Sequence, residues 1–384
     1  MRFLRNKRAK ALIIFCAAVI LVTAGVIYLP KLIAIDVISQ EETVAPEVPK
    51  FVVTHLKTPE PVKGIYMTAC VAGTPSWRES MKKLVNETEL NAVVIDIKDY
   101  SGTVSFREGS EGRGCEVKDL MEFIGELHDD DIYVIGRVAV FQDPLYTKLH
   151  PELAVQSRQG GIWKDHKGLS FIDVSARPYW DYIVEISKDA YAIGFDEINF
   201  DYVRYPSDGD MKDVLYAPTG TTTKPEMLKN FFSYLHGGLK ETGAVLSVDL
   251  FGMTTTNMDD LNIGQLLEDT FPYFDFISPM VYPSHYPNGF NGWSDPNKIP
   301  YDIVYFSMQS AVNRLKIYND TVASTTAQFR PWLQDNDYPV PYTPEMVRAQ
   351  IQATYDVGLT SWMLWDAGNR YTRAALLTST TTPQ

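Results

Sequence analysis

The sequence is poor in cysteine, in histidine and in positive charge, and each shortage argues against a class of function. It contains three cysteines, none of which pair at metal-site spacing, and six histidines with no H-x-x-x-H pair. A zinc hydrolase is therefore disfavoured, and we predict neither a metal site nor a cofactor. Nucleic acid is excluded as a partner because 48 acidic residues outnumber 35 basic ones, and binding to phosphates needs clustered Lys and Arg.

Sequence motifs of two other enzyme classes are missing as well. No G-x-S-x-G elbow of a serine hydrolase is present. Neither G-x-G-x-x-G after a strand nor G-x-x-x-x-G-K-[ST] occurs, so a phosphate-binding loop is not predicted.

The N-terminus carries the longest apolar run. Five basic residues lie within the first ten positions, and residues 11–29 contain no charge. Such a run spans about one bilayer as a helix, and its cationic flank stays in the cytoplasm. We predict a cytoplasmic segment 1–10, a transmembrane signal anchor 11–29 and an extracytoplasmic remainder, which makes a single-pass protein of the cell membrane. The alternative is secretion after signal cleavage, although no small-x-small cleavage site follows Leu29.

Segments of biased composition flank the rest of the chain. Residues 30–62 contain five prolines and several glutamates and are predicted to be a linker, and the Thr-rich residues 378–384 are predicted to be a flexible tail. Outside the cell Cys70 and Cys115 have the chance to pair. The sequence does not fix the geometry that a disulfide requires, and we predict that the two thiols stay free.

Residues 63–377 alternate short apolar runs with amphipathic stretches. Helical periodicity fills most gaps between these runs, for example in residues 117–127 and 227–239. The predicted strands are 64–68, 92–98, 132–140, 194–202, 245–251, 276–282, 326–332 and 361–366.

Eight strand–helix units predict an α/β fold, a (β/α)8 TIM barrel preceded by the transmembrane helix and the short linker. A doubly wound open sheet is the alternative, but it commonly carries a phosphate loop that this sequence lacks. The longest insertion, 141–177, follows the third strand, and we expect it to cover the barrel mouth with Trp163 touching substrate.

Polar residues gather where the predicted strands end, which is where TIM barrels place their active sites. In the fourth strand Glu197, Asn199 and Asp201 share one face, opposite Ile198 and Phe200. Because helix-facing positions are usually apolar, the acidic face should line the barrel, with Asp201 nearest the mouth. The same argument points Asp249 inward at the end of the fifth strand.

Burying several unpaired carboxylates costs free energy, so their presence inside the barrel favours a functional role. An ion pair of Asp201 with Arg137 or Arg204 is the structural alternative. Glycoside hydrolysis needs two carboxyl groups about the scissile bond, and aromatic rings suit the flat faces of sugars. We predict Asp201 and Asp249 as the catalytic pair. The predicted substrate-binding residues are Asp96, Lys98, Arg137, Trp163, Glu197, Tyr202, Arg204, Tyr282, His285, Arg330, Trp332, Trp365 and Asp366.

Several segments carry a family resemblance. They are Lys63-Gly-Ile-Tyr-Met-Thr68, the run 91–99, Phe195-Asp-Glu-Ile-Asn-Phe-Asp-Tyr-Val-Arg-Tyr-Pro206, Val248-Asp-Leu-Phe-Gly252 and the run 277–286. Over about Lys63 to Arg370 the chain resembles a bacterial family of glycosyl hydrolases of unknown function, distantly similar to alpha-amylase-type barrels. The resemblance implies a TIM barrel that acts on a polysaccharide.

In amylase-type barrels the strand-four carboxylate is the nucleophile and the strand-five carboxylate is the acid. The resemblance thus implies Asp201 as nucleophile or base and Asp249 as general acid. We expect hydrolysis of a cell-envelope or extracellular polysaccharide. The alternatives are a non-catalytic carbohydrate-binding barrel at the cell surface, or another hydrolase or lyase on the same fold. Both acids locked in bidentate arginine pairs would favour binding without catalysis.

Overall fold

A computed structural model describes residues 10–27, 52–109 and 112–379. The chain divides into an N-terminal unit and a unit that begins at Val53. In the first, helix α1 spans Lys10–Ile27, with a mean hydropathy of 2.5 over 18 residues. Its length and composition suit a membrane span, and a signal sequence would meet the same criteria. The predicted cytoplasmic residues 1–9, the last two anchor residues and most of the linker lie outside the described residues.

The second unit is a closed parallel barrel, as the sequence predicts. The barrel strands are β1 Lys63–Met67, β2 Ala92–Lys98, β3 Tyr133–Ala139, β5 Glu197–Asp201, β7 Val245–Phe251, β8 Phe276–Met280, β9 Gln328–Phe329, β10 Trp332–Gln334 and β11 Trp362–Trp365. Two short strands, β4 Gln156–Ser157 and β6 Val214–Leu215, form a separate antiparallel pair. Around the barrel the strands follow one another in chain order, and β11 pairs with β1. The seventh barrel strand consists of two pieces, β9 and β10, and the pairing of β10 with both β8 and β11 closes the sheet and excludes an open one.

The break in the seventh strand has a simple cause. Pro331 lies between β9 and β10, and proline has no N–H to donate to a neighbouring strand. The strand therefore resumes at Trp332, whose register partner is Met280 on β8 and Met363 on β11. The strand therefore ends at Gln334, two residues beyond the predicted end at Trp332.

Amphipathic helices cover most of the barrel. Many begin at proline, whose fixed φ suits the first turn, and the helix Lys224–Leu239 also carries a capping box between Thr223 and Glu226. The crossover from β7 to β8 is an exception, because it contains only 3-10 turns such as Gly252–Thr255 and Leu267–Asp269. The helices are α2 Ala69–Ala72, α3 Pro75–Asn86, α4 Leu120–Asp129, α5 Pro144–Leu149, α6 Arg177–Ala192, α7 Lys224–Leu239, α8 Pro300–Thr321 and α9 Pro344–Asp356.

The end of the predicted linker belongs to the barrel unit. The backbone N–H of Leu56 donates to Asp196 Oδ1 at 2.6 Å, and Thr58 Oγ1 lies 3.0 Å from the hydroxyl of Tyr133. The His55 ring stacks on Tyr191 with centroids 4.0 Å apart. These contacts move the start of the folded unit from the predicted Lys63 to Val53.

The predicted tail is likewise held at its beginning. Thr378 forms a β-bridge with Thr88, and the N–H of Ser379 donates to the Glu87 carbonyl at 3.3 Å. Residues 380–384 lie outside the described residues.

The prediction that Cys70 and Cys115 stay free is wrong, because they form a disulfide. Cys70 lies in the short helix α2, which follows β1, and the fold brings its Cα to 4.9 Å from that of Cys115. Sequence reasoning missed the bond because 45 residues separate the two positions, and only the packing of the loops decides their distance.

Removing this disulfide should destabilise the barrel. Closing a loop between residues 45 apart in sequence is worth about 4 kcal/mol in the chain-entropy treatment, and measured losses span about 2–5 kcal/mol. We expect Cys70→Ser to lower the unfolding midpoint in urea, while a reductant such as dithiothreitol lowers that of the parent alone. Equal stability of parent and variant under oxidising conditions would contradict the prediction.

Candidate active site

A cavity of about 210 Å³ opens at the carboxyl end of the barrel. Its walls come from the ends of six barrel strands and from the loops after them. The residues that line it are Arg137, Asp201, Tyr202, Arg204, Asp249, Phe251, Met280, Tyr282, His285, Trp332 and Trp365.

The alternation of side chains in β5 and β7 explains why two carboxylates reach this cavity. Ile198, Phe200, Val248 and Leu250 join the core between sheet and helices, so the intervening residues face the barrel. Asp201 is the last residue of β5, and the chain then turns at Tyr202, which has a left-handed φ of 54°. Such a backbone is costly for a large side chain and is typical of functional sites.

The guanidinium of Arg137 holds the first carboxylate. Its Nε donates to Asp201 Oδ2 at 3.2 Å, and its Nη2 donates a second, shorter bond to the same oxygen. Its Nη1 donates to Asp96 Oδ1 at 2.8 Å, and the Tyr66 hydroxyl donates to the other Asp96 oxygen at 2.5 Å. All of these groups are buried, so Arg137 compensates two carboxylates away from water.

Asp249 has a different environment. Its Oδ1 accepts from Asn199 Nδ2 at 2.9 Å and from the indole Nε1 of Trp332 at 2.8 Å. Its Oδ2 lies 4.0 Å from the Arg137 Nε, farther than a hydrogen bond. Burial, and then the negative charge of Asp201, raise the pKa of Asp249 to about 8, although Arg137 and the two hydrogen bonds oppose the rise.

The two carboxyl groups are close enough to act on one bond. One nitrogen, Arg137 Nε, lies 3.2 Å from Asp201 Oδ2 and 4.0 Å from Asp249 Oδ2. The two oxygens are therefore at most about 7 Å apart, a limit that includes the roughly 5–5.5 Å of retaining glycosidases and the short end of the inverting range. Arg137 donates hydrogen bonds to Asp201 but not to Asp249. The two carboxylates are therefore not both held in bidentate arginine pairs, which is the arrangement that would favour binding without catalysis.

Aromatic rings line the same cavity. Trp365 stacks on Tyr66 with centroids 4.3 Å apart and meets Trp332 edge-on at 5.7 Å. Tyr282 contacts the His285 ring edge-on at 5.0 Å, and desolvation lowers the pKa of His285. The flat apolar faces of these side chains, next to fixed polar groups, suit a ligand whose rings have apolar faces and hydroxyl groups at their edges.

Comparison with protein families identifies the chain. Residues 64–371 match the profile of a family described as "Putative glycosyl hydrolase domain". The chain belongs to this glycosyl hydrolase family. No curated protein matches it significantly.

Two solved glycosidase structures of low sequence identity share the fold. The glycoside hydrolase domain of PgaB (BpsB) from Bordetella bronchiseptica is 15% identical, with a TM-score of 0.58 over 80% of this chain and 94% of that one. A beta-galactosidase from the psychrophilic Marinomonas ef1 is 11% identical, with a TM-score of 0.55 over 82% of this chain and 58% of that one. A hypothetical protein from Ruminiclostridium thermocellum is 35% identical over 48% of this chain and 96% of that one, with a TM-score of 0.43.

Lys98, one of the predicted substrate ligands, is not among the residues that line the cavity. The pairing of β2 with β3 shifts register between Asp96 and Lys98. The Nζ of Lys98 lies 2.9 Å from Asp143 Oδ2 and donates to the Ala139 carbonyl at 2.5 Å. Asp96 stays inside the barrel but lies behind Arg137 rather than in the cavity wall.

Glu197 and Arg330, two further predicted substrate ligands, form a fully buried ion pair and do not line the cavity. The hydroxyl of Tyr133 also donates to Glu197, at 3.2 Å. Glu197 lies two alternations below Asp201 on the inward face of β5, so the side chains above it close off access. This pair fills the barrel interior.

Trp163, which is predicted to touch substrate, does not line the cavity that holds the carboxylates. Its side chain is 2% exposed, packs with Val155, Phe171 and Val214 and donates through Nε1 to the Asp210 carbonyl at 3.0 Å. Together these side chains form a small apolar core in the insertion. Asp366 lies in the turn after β11, where its Oδ1 accepts from the Gly368 N–H at 2.5 Å, and it does not line the cavity.

The predicted list omitted four residues that shape the site. Asn199 lies on the predicted inward face of β5 and donates to Asp249, so its position alone could have identified it. Tyr66 at the end of β1 supports Asp96, while Phe251 and Met280 line the cavity. Among the described residues no group of three or more His, Cys, Asp and Glu side chains is placed to hold a metal ion.

Proposed function

We propose that this hydrolase cleaves a glycosidic bond in a cell-envelope or extracellular polysaccharide, with Asp201 as nucleophile or base and Asp249 as general acid. The contrast between the two carboxyl environments supports the proposal most. Asp201 is paired with a cation, whereas burial gives Asp249 a pKa of about 8, so it holds a proton at neutral pH.

The two residues divide the reaction. Asp249 transfers its proton to the glycosidic oxygen as the bond from that oxygen to the anomeric carbon breaks. Asp201 either forms a bond to that carbon or removes a proton from the attacking water, depending on the stereochemical course. In the first case, Asp249 then takes a proton from the water that displaces Asp201. Asn199 and Trp332 keep Asp249 in place throughout.

The direct test is release of reducing ends from a panel of polysaccharides. Full-length protein in detergent would be incubated with peptidoglycan, chitin, xylan and purified capsular polysaccharides. We expect new reducing ends from at least one polymer, and none with the Asp201→Asn variant. Saturable binding to a polymer without any cleavage would instead support the carbohydrate-binding alternative.

The membrane topology gives a separate prediction. The basic residues before α1 should keep the N-terminus in the cytoplasm and the barrel outside. A protease added to protoplasts should then degrade the barrel while a tag at the N-terminus stays protected. A protected barrel would contradict this topology, and barrel released into the medium would indicate signal cleavage.

A further inference from the structure

Two more cavities adjoin the one that holds the carboxylates. The first, here called the insertion cavity, has a volume of about 280 Å³ and shares Tyr202 and Arg204 with the active site. The second, of similar volume, shares Phe251 and His285 with it. Their walls belong to different sectors of the mouth, because the first is built on the loops after β2, β3 and β5, and the second on those after β7 and β8.

The wall that the insertion cavity shares with the active site contains the guanidinium of Arg204. Only Nη1 of Arg204 donates hydrogen bonds within the described chain, to the Tyr205 carbonyl and Ser207 Oγ at 3.1 Å each. Within the described ranges no carboxylate oxygen lies within 4.0 Å of this guanidinium. Its other donors thus remain available between the two cavities, and desolvation lowers the pKa of Arg204.

The remaining walls suit a sugar. Tyr100 contributes an aromatic side chain that is 53% exposed, and Asp165, Lys167 and Asp208 contribute polar groups. Asp165 Oδ1 accepts the backbone N–H groups of Lys167 and Leu169 at 2.9 and 2.8 Å, which fixes this turn. One exposed ring beside several hydroxyl-binding groups is the composition expected for one pyranose.

We propose that the insertion cavity binds a second sugar ring of the same polymer, and that the substrate is an internal stretch of polysaccharide passing the carboxylate pair. Each cavity is smaller than the roughly 300 Å³ at which ligand pockets usually begin, so each suits a single ring. A chain that occupies all three has rings on both sides of the cleaved bond. Arg204 then donates to hydroxyl groups of two adjacent rings. This inference rests on the proposed hydrolase function.

The test separates long from short substrates. Full-length parent, Tyr100→Ala and Lys167→Ala would be assayed on the polymer that the panel identifies and on the aryl glycoside of its constituent sugar. We expect kcat/KM on the polymer to fall about tenfold for Tyr100→Ala, as loss of one aromatic contact implies, and activity on the aryl glycoside to stay unchanged. Trp77→Ala is the matched control, since Trp77 is 57% exposed on α3 and lines none of the three cavities.

The size of the first products gives a second readout. Internal cleavage yields chains of intermediate length early in the reaction, and the viscosity of the polymer falls while few reducing ends have formed. Release of monosaccharide or disaccharide from the start would overturn the inference and leave the hydrolase function standing. Equal activity of Tyr100→Ala and parent on the polymer would do the same. A parent that cleaves no polymer in the panel would contradict the hydrolase function itself.

Discussion

Asp201→Asn should lower kcat by about 10⁴-fold on any polymer that the parent cleaves, the loss expected when a group central to the chemistry is neutralised. An amide neither attacks an anomeric carbon nor accepts a proton from water. It also replaces one of the two oxygens that accept from Arg137 and from the Tyr202 N–H. The variant should therefore lose about 1–3 kcal/mol of folding free energy as well.

Thermal unfolding distinguishes lost chemistry from lost structure in this variant. Arg137 keeps its bond to Asp96, so the barrel should remain folded at assay temperature. Asp320→Asn, on an exposed position of α8, is the matched control and should retain full activity. If Asp201→Asn is folded and turns over at the rate of the parent, Asp201 is not in the catalytic pair.

Asp249→Asn should remove the proton donor and little else. Both hydrogen bonds to this side chain, from Asn199 and Trp332, end on Oδ1, and the carbonyl oxygen of an asparagine can accept them in the same place. Loss of a general acid slows cleavage by about 10²–10⁴-fold. A dinitrophenyl glycoside needs no proton on its leaving group, so the variant should cleave it at a rate near that of the parent.

The pH profile of the parent tests the same assignment. A general acid works only while protonated, and Asp249 has a pKa raised to about 8 by burial and by Asp201. Activity on unactivated polymer should therefore fall as the pH rises through about 8, and on the dinitrophenyl glycoside this alkaline limb should be absent from the bond-breaking step. An Asp249→Asn variant with an unchanged alkaline limb on polymer would show that another group donates the proton.

The fold was predictable because its signals are local. The apolar runs of β2 and β7 match the structure residue for residue, since strands buried on both faces are recognisable from composition alone. The seventh strand was placed too early because the break at Pro331 moves its second half toward the mouth. The segment between β7 and β8 was not predictable in this way, because its short 3-10 turns have little hydrophobic periodicity.

The candidate site was predictable where alternation along a strand decides it. Asp201 and Asp249 reach the cavity because they share the inward register with Asn199. Alternation does not decide the surroundings of Lys98, next to a register irregularity in β2, or of Trp163, whose loop has no repeating register. Neither a bulge nor a loop core leaves a periodic signal in the sequence.

The sequence by itself determined the barrel, the family and the two inward carboxylates near the ends of neighbouring strands, because each follows from short-range patterns. Only the tertiary structure decided how those carboxylates differ. Arg137 on β3 reaches Asp201, whereas Trp332 on β10 reaches Asp249, and these partners lie 64 and 83 residues away along the chain. The Cys70–Cys115 bond was decided in the same way. A charge environment depends on distances of a few ångström between remote segments, and no local pattern records them.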